Sequence, residues 1–250
     1  MAGRVEEYLL DRIRRDGAIH MVLVDPEVAG PEEATRVAAE AERRGTAAVM
    51  VGGSTVVLKE QLDSVVKAIK KSVKIPVILF PNNVTGISRY ADAIWFMSLL
   101  NSTDPYFIVG AQVLGAPAVK AYGLEPIPMA YIIVGHGVTA GFIGKAMPLP
   151  RNKPELAAAY ALAAQYLGMR FVYLEAGSGA PEPVSEDVVK AVRNTVDIPI
   201  IVGGGIRSGD QARRLVEAGA NVIVTGTVVE EDVDAAGRKI GELVAAIQRS

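Results

Sequence analysis

The residues best suited to chemistry are glycines that follow two apolar runs late in the sequence. One run continues into Ile201-Val-Gly-Gly-Gly-Ile-Arg-Ser-Gly-Asp210, and the next into Val222-Ile-Val-Thr-Gly-Thr227. Glycine lets the backbone approach an anion closely, and the free N–H groups can donate to phosphate oxygens. The alternative is that the glycines only turn the chain between strand and helix. The candidate phosphate contacts are Gly204, Gly205, Gly226 and Thr227.

A carboxylate and a phenol end the preceding apolar run, Phe171-Val-Tyr-Leu-Glu-Ala-Gly-Ser-Gly-Ala180. Glu175 is suited to accept hydrogen bonds from substrate hydroxyls or to act as a base. Ser178 and its flanking glycines can add donors to a phosphate, and Tyr173 can supply its hydroxyl. The alternative for Glu175 is an interior ion pair with Arg207 or a lysine.

A second polar pair follows the first two apolar runs of the chain. Asp25 ends the first of these runs and Ser54 follows the second. One carboxylate and one hydroxyl make a sparse site, of the kind that Mg²⁺ accepts when phosphates and waters complete its octahedron. Asp25 could instead be a turn residue before Pro26, and Ser54 a helix N-cap.

Other side chains have weaker claims to a role. His20 is interpreted as structural and His136 as a loop residue, since neither has a second ligand at zinc spacing. Lys145, Arg151 and Lys153 form a basic cluster that is either solvated or a second anion contact. Aromatic residues could line an apolar groove, although core packing is the ordinary role of such residues. They are Trp95, Phe96, Phe80 and Phe142.

Apolar runs of strand length alternate with amphipathic segments along the chain. Most of these runs are nearly continuously hydrophobic, which is typical of parallel strands buried on both faces. About eight such units in 250 residues predict an α/β fold with one (β/α)8 TIM barrel spanning residues 1–250. An extra helix is predicted over Arg4–Arg15. Only Pro81–Ala91 separates the third and fourth strands, so the helix there should be short or missing.

Composition excludes several classes of function. The net charge is −2 and the basic residues are scattered, which argues against nucleic acid as a partner. Cysteine is absent, so disulfides and thiolate metal sites are excluded. The N-terminus lacks the apolar core of a signal peptide, and no apolar run is long enough to span a bilayer. The sequence therefore predicts a cytoplasmic protein.

Six motifs in order narrow the choice among phosphate-binding barrels. Together they resemble the geranylgeranylglyceryl phosphate synthase family of archaeal ether-lipid biosynthesis, over nearly the whole chain. Tyr173-Leu-Glu-Ala-Gly-Ser-Gly179 is the most specific of them. The other five are Val24-Asp-Pro-Glu27, Val51-Gly-Gly-Ser54, Leu79-Phe-Pro-Asn82, Val202-Gly-Gly-Gly-Ile206 and Val224-Thr-Gly-Thr227.

The resemblance implies a prenyltransferase that makes a precursor of membrane phospholipids. The 3-hydroxyl of sn-glycerol 1-phosphate would attack C1 of geranylgeranyl diphosphate, and diphosphate would leave. Glu175 would be the catalytic residue, Asp25 and Ser54 would hold Mg²⁺, and Trp95 with Phe96 would line the prenyl groove. The glycerol phosphate would contact Tyr173, Leu174, Glu175, Ala176, Gly177, Ser178, Gly179, Gly204, Gly205, Gly226 and Thr227.

The segments Ile94–Asn101 and Pro150–Pro154 resemble the larger-oligomer branch of the same family, which implies a homo-oligomer. The length of the prenyl chain stays open, and a longer heptaprenyl donor is an alternative. Two other functions also remain open. One is an isomerase or aldolase acting on a small sugar or amino-acid-pathway phosphate, and the other is a non-catalytic phosphate-binding subunit.

Overall fold

The computed structural model describes residues 2–53, 58–226 and 233–248. Eight parallel strands close into a barrel in which each strand pairs with its neighbours in sequence and β1 pairs with β8. The predicted α/β barrel is thus confirmed. The strands are β1 Ile19–Val24, β2 Ala48–Val51, β3 Val77–Leu79, β4 Ala93–Leu99, β5 Glu125–Ile133, β6 Phe171–Glu175, β7 Ile200–Gly203 and β8 Val222–Gly226.

Alternate side chains of each strand enter two different hydrophobic layers. On β6, Phe171 and Tyr173 point into the barrel, where they pack with Met21 of β1. Val172 and Leu174 point outward, against the surrounding helices. Since the period of a strand is two residues, the next inward position on β6 is Glu175, at the carboxyl end of the strand. Strand alternation therefore aims this carboxylate into the mouth of the barrel.

Nine α-helices surround or close the barrel within the described residues. The sequence did not predict α5, a six-residue helix after β5. A π-helical turn over Tyr106–Gly110 precedes α4. The helices are α1 Arg4–Asp16, α2 Pro31–Arg43, α3 Lys59–Ser72, α4 Ala111–Tyr122, α5 Val138–Ile143, α6 Pro154–Tyr166, α7 Glu186–Arg193, α8 Gly209–Glu217 and α9 Val233–Ile247.

The predicted gap after the third strand is confirmed. Between β3 and β4 the chain forms only a 3-10 turn over Val84–Gly86. A full helix would cover the outer face of these strands, where the ring of Phe96 lies half-buried against the outer layer. The missing helix leaves the space for the apolar arm described below.

The predicted N-terminal helix α1 lies against the amino ends of the strands. The carboxylate of Glu125, the first residue of β5, accepts hydrogen bonds of 2.8 Å from both Val5 N and Glu6 N. This satisfies two of the N–H groups that a helix N-terminus leaves without partners. Leu9 packs into the barrel interior. Helix α1 therefore closes the end of the barrel opposite the mouth. No helix among the described residues is long and apolar enough to cross a membrane.

Candidate active site at the mouth of the barrel

One large cavity of about 660 Å³ opens at the carboxyl ends of the strands. Its lining brings together residues from both halves of the chain that the sequence selected separately. Of the predicted site, Leu174, Ala176 and Gly177 do not line it, and Ser54 and Thr227 lie outside the described residues. The predicted residues that do line it are Asp25, Trp95, Phe96, Tyr173, Glu175, Ser178, Gly179, Gly204, Gly205 and Gly226.

The carboxylate of Glu175 is held from several sides. Its Oε1 accepts from Gly177 N at 2.7 Å, and its Oε2 accepts from the Tyr131 hydroxyl at 3.0 Å. The hydroxyl of Tyr173 is a further partner. The residue is only 6% exposed, and this burial raises the pKa of Glu175 above its usual range. An oriented carboxylate of raised pKa is suited to accept a proton from a bound hydroxyl.

The interior ion pair considered for Glu175 does not form in the structure. The guanidinium of Arg207 donates from Nη2 to the carbonyl oxygen of Ala180, at 3.1 Å. Among the described residues, no lysine or arginine forms a salt bridge with Glu175. The carboxylate therefore faces the cavity with hydroxyl and amide partners only.

The glycine loops after β6 and β7 pack directly against each other. A Cβ on Gly204 would lie 2.4 Å from Glu175 Oε1, and one on Gly205 would lie 2.5 Å from the backbone of Glu182. Both glycines also have positive φ angles, 83° and 72°. Only glycine meets both demands without strain. The two loops thus form one surface of backbone groups beside Glu175, which suits a phosphate.

Leu174 and Ala176 were predicted to contact glycerol phosphate, but their side chains pack in the outer layer between barrel and helices. The reason is strand alternation, which turns every second residue of β6 away from the mouth. Their side chains are thus excluded from the cavity.

Three aromatic rings meet beside Glu175. The ring centroids of Phe80, Tyr131 and Tyr173 lie 5.2 to 5.5 Å from one another. All three rings line the cavity. No motif marks Tyr131 in the sequence, although this residue pairs in register with Tyr173 across β5 and β6. Burial raises the pKa of both tyrosines, so their hydroxyls stay protonated and act as donors.

Asp25 lies just beyond β1, three strands around the closed barrel from β6, the strand that ends in Glu175. Its Oδ1 accepts from Glu27 N at 2.9 Å, and its carboxylate lies against Gly53. Burial raises the pKa of Asp25. In the described part of the chain, no group of three or more His, Cys, Asp or Glu side chains could hold a metal ion. A single half-buried carboxylate fits Mg²⁺ when phosphates and waters supply the remaining ligands.

Trp95 and Phe96 line one cavity from opposite faces of β4. Trp95 is fully buried inside the barrel, where its ring meets the edge of Phe171 at a centroid distance of 5.2 Å. Phe96 lies outside the barrel, on the face left open by the missing helix. The apolar arm of the cavity continues there past Ile87, Gly115 and Val119. Phe142 was a further candidate, but its side chain is 81% exposed and does not line the cavity.

The remaining candidates lie outside the cavity. The basic cluster is divided among separate ion pairs, which are Lys145 with Asp104, Arg151 with Glu182 and Lys153 with Glu155. His136 is exposed in a loop. His20 is fully buried, and its ring nitrogens bond the hydroxyls of Thr46 at 2.8 Å and Thr225 at 2.9 Å. Burial lowers the pKa of His20 to about 4, so the ring is neutral at pH 7 and has a structural role.

Fold and site together define a phosphate-binding β/α barrel whose cavity continues into an apolar arm. A model of the PcrB family matches residues 11–246, and the chain belongs to that family. The geranylgeranylglyceryl phosphate synthase of Pyrococcus abyssi is 59% identical over 243 residues, 96% of either chain. The enzyme of the same name from Methanothermobacter thermautotrophicus is 55% identical over 241 residues, 96% of this chain and 97% of the relative. The resemblance seen in the motifs is thereby confirmed.

Solved structures agree with this assignment. The crystal structure of (S)-3-O-geranylgeranylglyceryl phosphate synthase from Thermoplasma acidophilum, in complex with its substrate sn-glycerol-1-phosphate, is 45% identical. It matches with a TM-score of 0.94 and covers 100% of both chains. Thiamine phosphate pyrophosphorylase from Pyrococcus furiosus matches with a TM-score of 0.61 at 16% identity, over 94% of this chain and 98% of that one. The second likeness concerns the fold alone.

Proposed function

We propose that the chain transfers the geranylgeranyl group of geranylgeranyl diphosphate to the 3-hydroxyl of sn-glycerol 1-phosphate. An ether bond forms at C1 of the prenyl chain, the C1–O bond to diphosphate breaks, and diphosphate leaves with the electron pair. The observation that carries this proposal is one cavity with a glycine-loop surface, a buried carboxylate and an apolar arm. A small phosphorylated alcohol and a long lipid chain together need these three parts.

The glycerol phosphate binds at the loops after β6, β7 and β8. Backbone N–H groups there receive the phosphate, with Gly204, Gly205 and Gly226 allowing its close approach. Support comes from the Thermoplasma acidophilum relative, whose crystal structure contains sn-glycerol-1-phosphate. Thr227, outside the described residues, belongs to the same proposed set.

Glu175 orients the glycerol hydroxyls and accepts the proton of the attacking one. The hydrogen bonds from Tyr131 and Gly177 fix the carboxylate before substrate arrives. Because burial raises its pKa, the carboxylate is a better proton acceptor than an exposed glutamate. The proton moves from the 3-hydroxyl to a Glu175 oxygen as the ether bond forms.

Asp25 would hold Mg²⁺ for the reaction with the prenyl diphosphate, together with Ser54, which lies outside the described residues. When bound, the metal neutralises the charge that develops on the leaving diphosphate. The fit rests on the cavity-facing carboxylate of Asp25 and on its contact with Gly53, the residue before Ser54.

The prenyl chain lies in the apolar arm and is limited by the aromatic residues of β4. Phe96 contacts the chain on the outer face, and Trp95 closes the interior of the barrel. The arm does not by itself distinguish a geranylgeranyl donor from a longer one such as heptaprenyl. We assign geranylgeranyl because similar relatives, 59% and 55% identical, carry that name.

Incubation with sn-glycerol 1-phosphate, labelled geranylgeranyl diphosphate and Mg²⁺ tests the proposal. Organic-extractable ether lipid is the expected product, and a complete absence of it at varied pH and metal concentration overturns the assignment. Replacing Mg²⁺ with chelator tests the metal separately. The same preparation offered heptaprenyl diphosphate measures the preference for chain length.

The purified chain also tests the two alternative functions, an isomerase or aldolase and a non-catalytic phosphate-binding subunit. A Schiff-base aldolase needs a lysine at a strand end, but the lysine that lines the described cavity, Lys239, belongs to helix α9. A non-catalytic phosphate-binding subunit predicts that Glu175→Gln changes no measurable reaction.

A homo-oligomer in the cytoplasm completes the proposal. Large apolar side chains are exposed on α5 and at the end of α6, including Phe142 at 81% and Tyr166 at 78%. Such residues are more typical of an interface between subunits than of a solvated face. Light scattering of the purified chain measures the assembly, and a monomer at micromolar concentration contradicts it.

A further inference from the structure

The charged side chains around the cavity are distributed unevenly. Four such residues line it in the part of the chain that the structure describes. The two acids, Asp25 and Glu175, lie beyond β1 and at the end of β6. The two bases, Arg207 and Lys239, both belong to segments beside the glycine loops. Both cationic side chains therefore lie on the side of the mouth that contains the glycine loops, where Glu175 also ends β6.

Arg207 connects two of the glycine loops. It follows Gly205 by two residues in the loop after β7, and its guanidinium donates to the carbonyl oxygen of Ala180 in the loop after β6, at 3.1 Å. The side chain is exposed toward the cavity mouth. Across residues 2–53, 58–226 and 233–248, no carboxylate forms a salt bridge with Arg207. The guanidinium therefore keeps donors and a full charge for a ligand held between these loops.

Lys239 belongs to α9 and lies beside the end of β8. It lines the cavity together with Thr225 and Gly226 at the end of β8. It also borders a small cleft with Ala236 and Ile240 of its own helix, where its aliphatic stem is half-buried. Within the described ranges no acid forms a salt bridge with its ammonium group. Arg207 thus lies beside the glycine loops after β6 and β7, and Lys239 lies beside the end of β8.

We propose that Arg207 and Lys239 recognise the charge of the phosphate monoester held by the glycine loops, and so select phosphorylated glycerol over free glycerol. A phosphate monoester has about −1.5 to −2 charges at pH 7. Backbone N–H groups provide only partial charges, whereas two cationic side chains nearly balance the dianion. This inference rests on the proposed function, since it concerns the acceptor of that reaction.

Calorimetric binding of sn-glycerol 1-phosphate and of inorganic phosphate tests the inference without any turnover. Arg207→Gln and Lys239→Gln are each expected to raise the dissociation constant about fivefold, as for a partly solvated charge contact. Arg207→Lys and Lys239→Arg, which keep the charge, should retain most of the affinity. The charge-removing variants should also show a weaker dependence of affinity on salt concentration.

Lys190→Gln provides the matched control, because Lys190 is an exposed lysine on α7 that does not line the cavity. It removes the same charge and should leave both dissociation constants unchanged. In steady-state assays, the two test variants should raise KM for glycerol phosphate while kcat and KM for the prenyl donor stay within about twofold.

Two results would overturn the inference. One is an unchanged dissociation constant in both test variants. The other is an equal loss of affinity in the conservative and charge-removing variants, which would indicate a structural role for these side chains. Failure of the proposed function is a separate result. If the chain binds phosphate through these residues but forms no ether product, the inference stands and the proposed function is wrong.

Discussion

Two parts of the barrel mouth differ in the chemical groups that line them. On the proposed acceptor side, the loops after β6 and β7 and the end of β8 at Gly226 line the cavity, and Glu175 is fixed by Tyr131 and Gly177. On the proposed donor side, the carboxylate of Asp25 faces the cavity. The groups of the acceptor side are held by hydrogen bonds within the chain, whereas the proposed donor side depends on the phosphates and waters that would complete the ligand shell of Mg²⁺.

This difference has a consequence for how each side tolerates substitution. A backbone surface changes little when one side chain is replaced, because its donors belong to the main chain. A site with one carboxylate loses its function when that carboxylate is lost. Acceptor binding should thus be robust, apart from Glu175 and the two cations, and donor handling should be sensitive at a few positions.

The strongest test of the acceptor side is Glu175→Gln. Loss of the proton acceptor should lower kcat about 10²- to 10⁴-fold. Because the pKa of Glu175 is raised in the native state, the native carboxyl keeps its proton at pH values where the unfolded one has lost it. The free energy of unfolding therefore falls as pH rises from the unfolded pKa through the native pKa. The glutamine variant should therefore be at least as stable at pH 7 by thermal unfolding. In the native enzyme, activity should fall as pH is lowered through the raised pKa of Glu175.

On the proposed donor side, Asp25→Asn should reduce Mg²⁺-dependent turnover about 100-fold, since it removes the carboxylate proposed to hold the metal. A magnesium titration of kcat measures the loss. Glu27→Gln is the matched control, because Glu27 is an exposed acid two residues away that does not line the cavity. Native turnover in Asp25→Asn would show that this carboxylate is not a metal ligand.

The proposed limit on the length of the prenyl chain is tested at Trp95. Trp95→Ala enlarges the interior end of the cavity and should shift the preference toward longer prenyl donors by about tenfold. Trp95→Leu keeps more of the packing if the alanine variant unfolds. Phe171→Leu is the control, since Phe171 packs against Trp95 but does not line the cavity. An unchanged ratio of kcat/KM between donors would show that Trp95 does not limit the length of the prenyl chain.

The smallest effect concerns the support of the acceptor side. His20 bonds Thr225, the residue before Gly226, and its native pKa is lowered to about 4. Below pH about 6.5, His20 is protonated in the unfolded state but stays neutral in the native state. The free energy of unfolding therefore falls as pH drops toward about 4. His20→Gln should remove that part of the pH dependence in denaturant unfolding. His136→Gln, at an exposed loop position, should leave it unchanged.

Much of this architecture was predictable because it depends on the spacing of hydrophobic residues and on the glycines and prolines that end the elements. The continuous apolar runs gave the eight strands, and the short Pro81–Ala91 segment gave the missing helix. Helix α5 was missed because Val138–Ile143 is only six residues long and is flanked by glycines.

The site was predictable where a motif marked it and not where a distant residue completed it. Glu175 ends a strand within a recognisable segment, so alternation alone aims it at the mouth. Tyr131 carries no motif, and its contact with Glu175 depends on the pairing of β5 with β6. Lys239 comes from the last helix, and no local pattern connects it with the glycine loops.

The gap in the helical ring after β3 links ligand binding to folding. Without a ligand, the arm beside Phe96 leaves apolar surface in contact with water. A prenyl donor that binds only the native state would cover this surface and raise stability by about 2.7 kcal/mol at a concentration 100 times its dissociation constant. A bound prenyl chain would thus bury part of the apolar surface of β3 and β4 that a helix would cover in a complete ring.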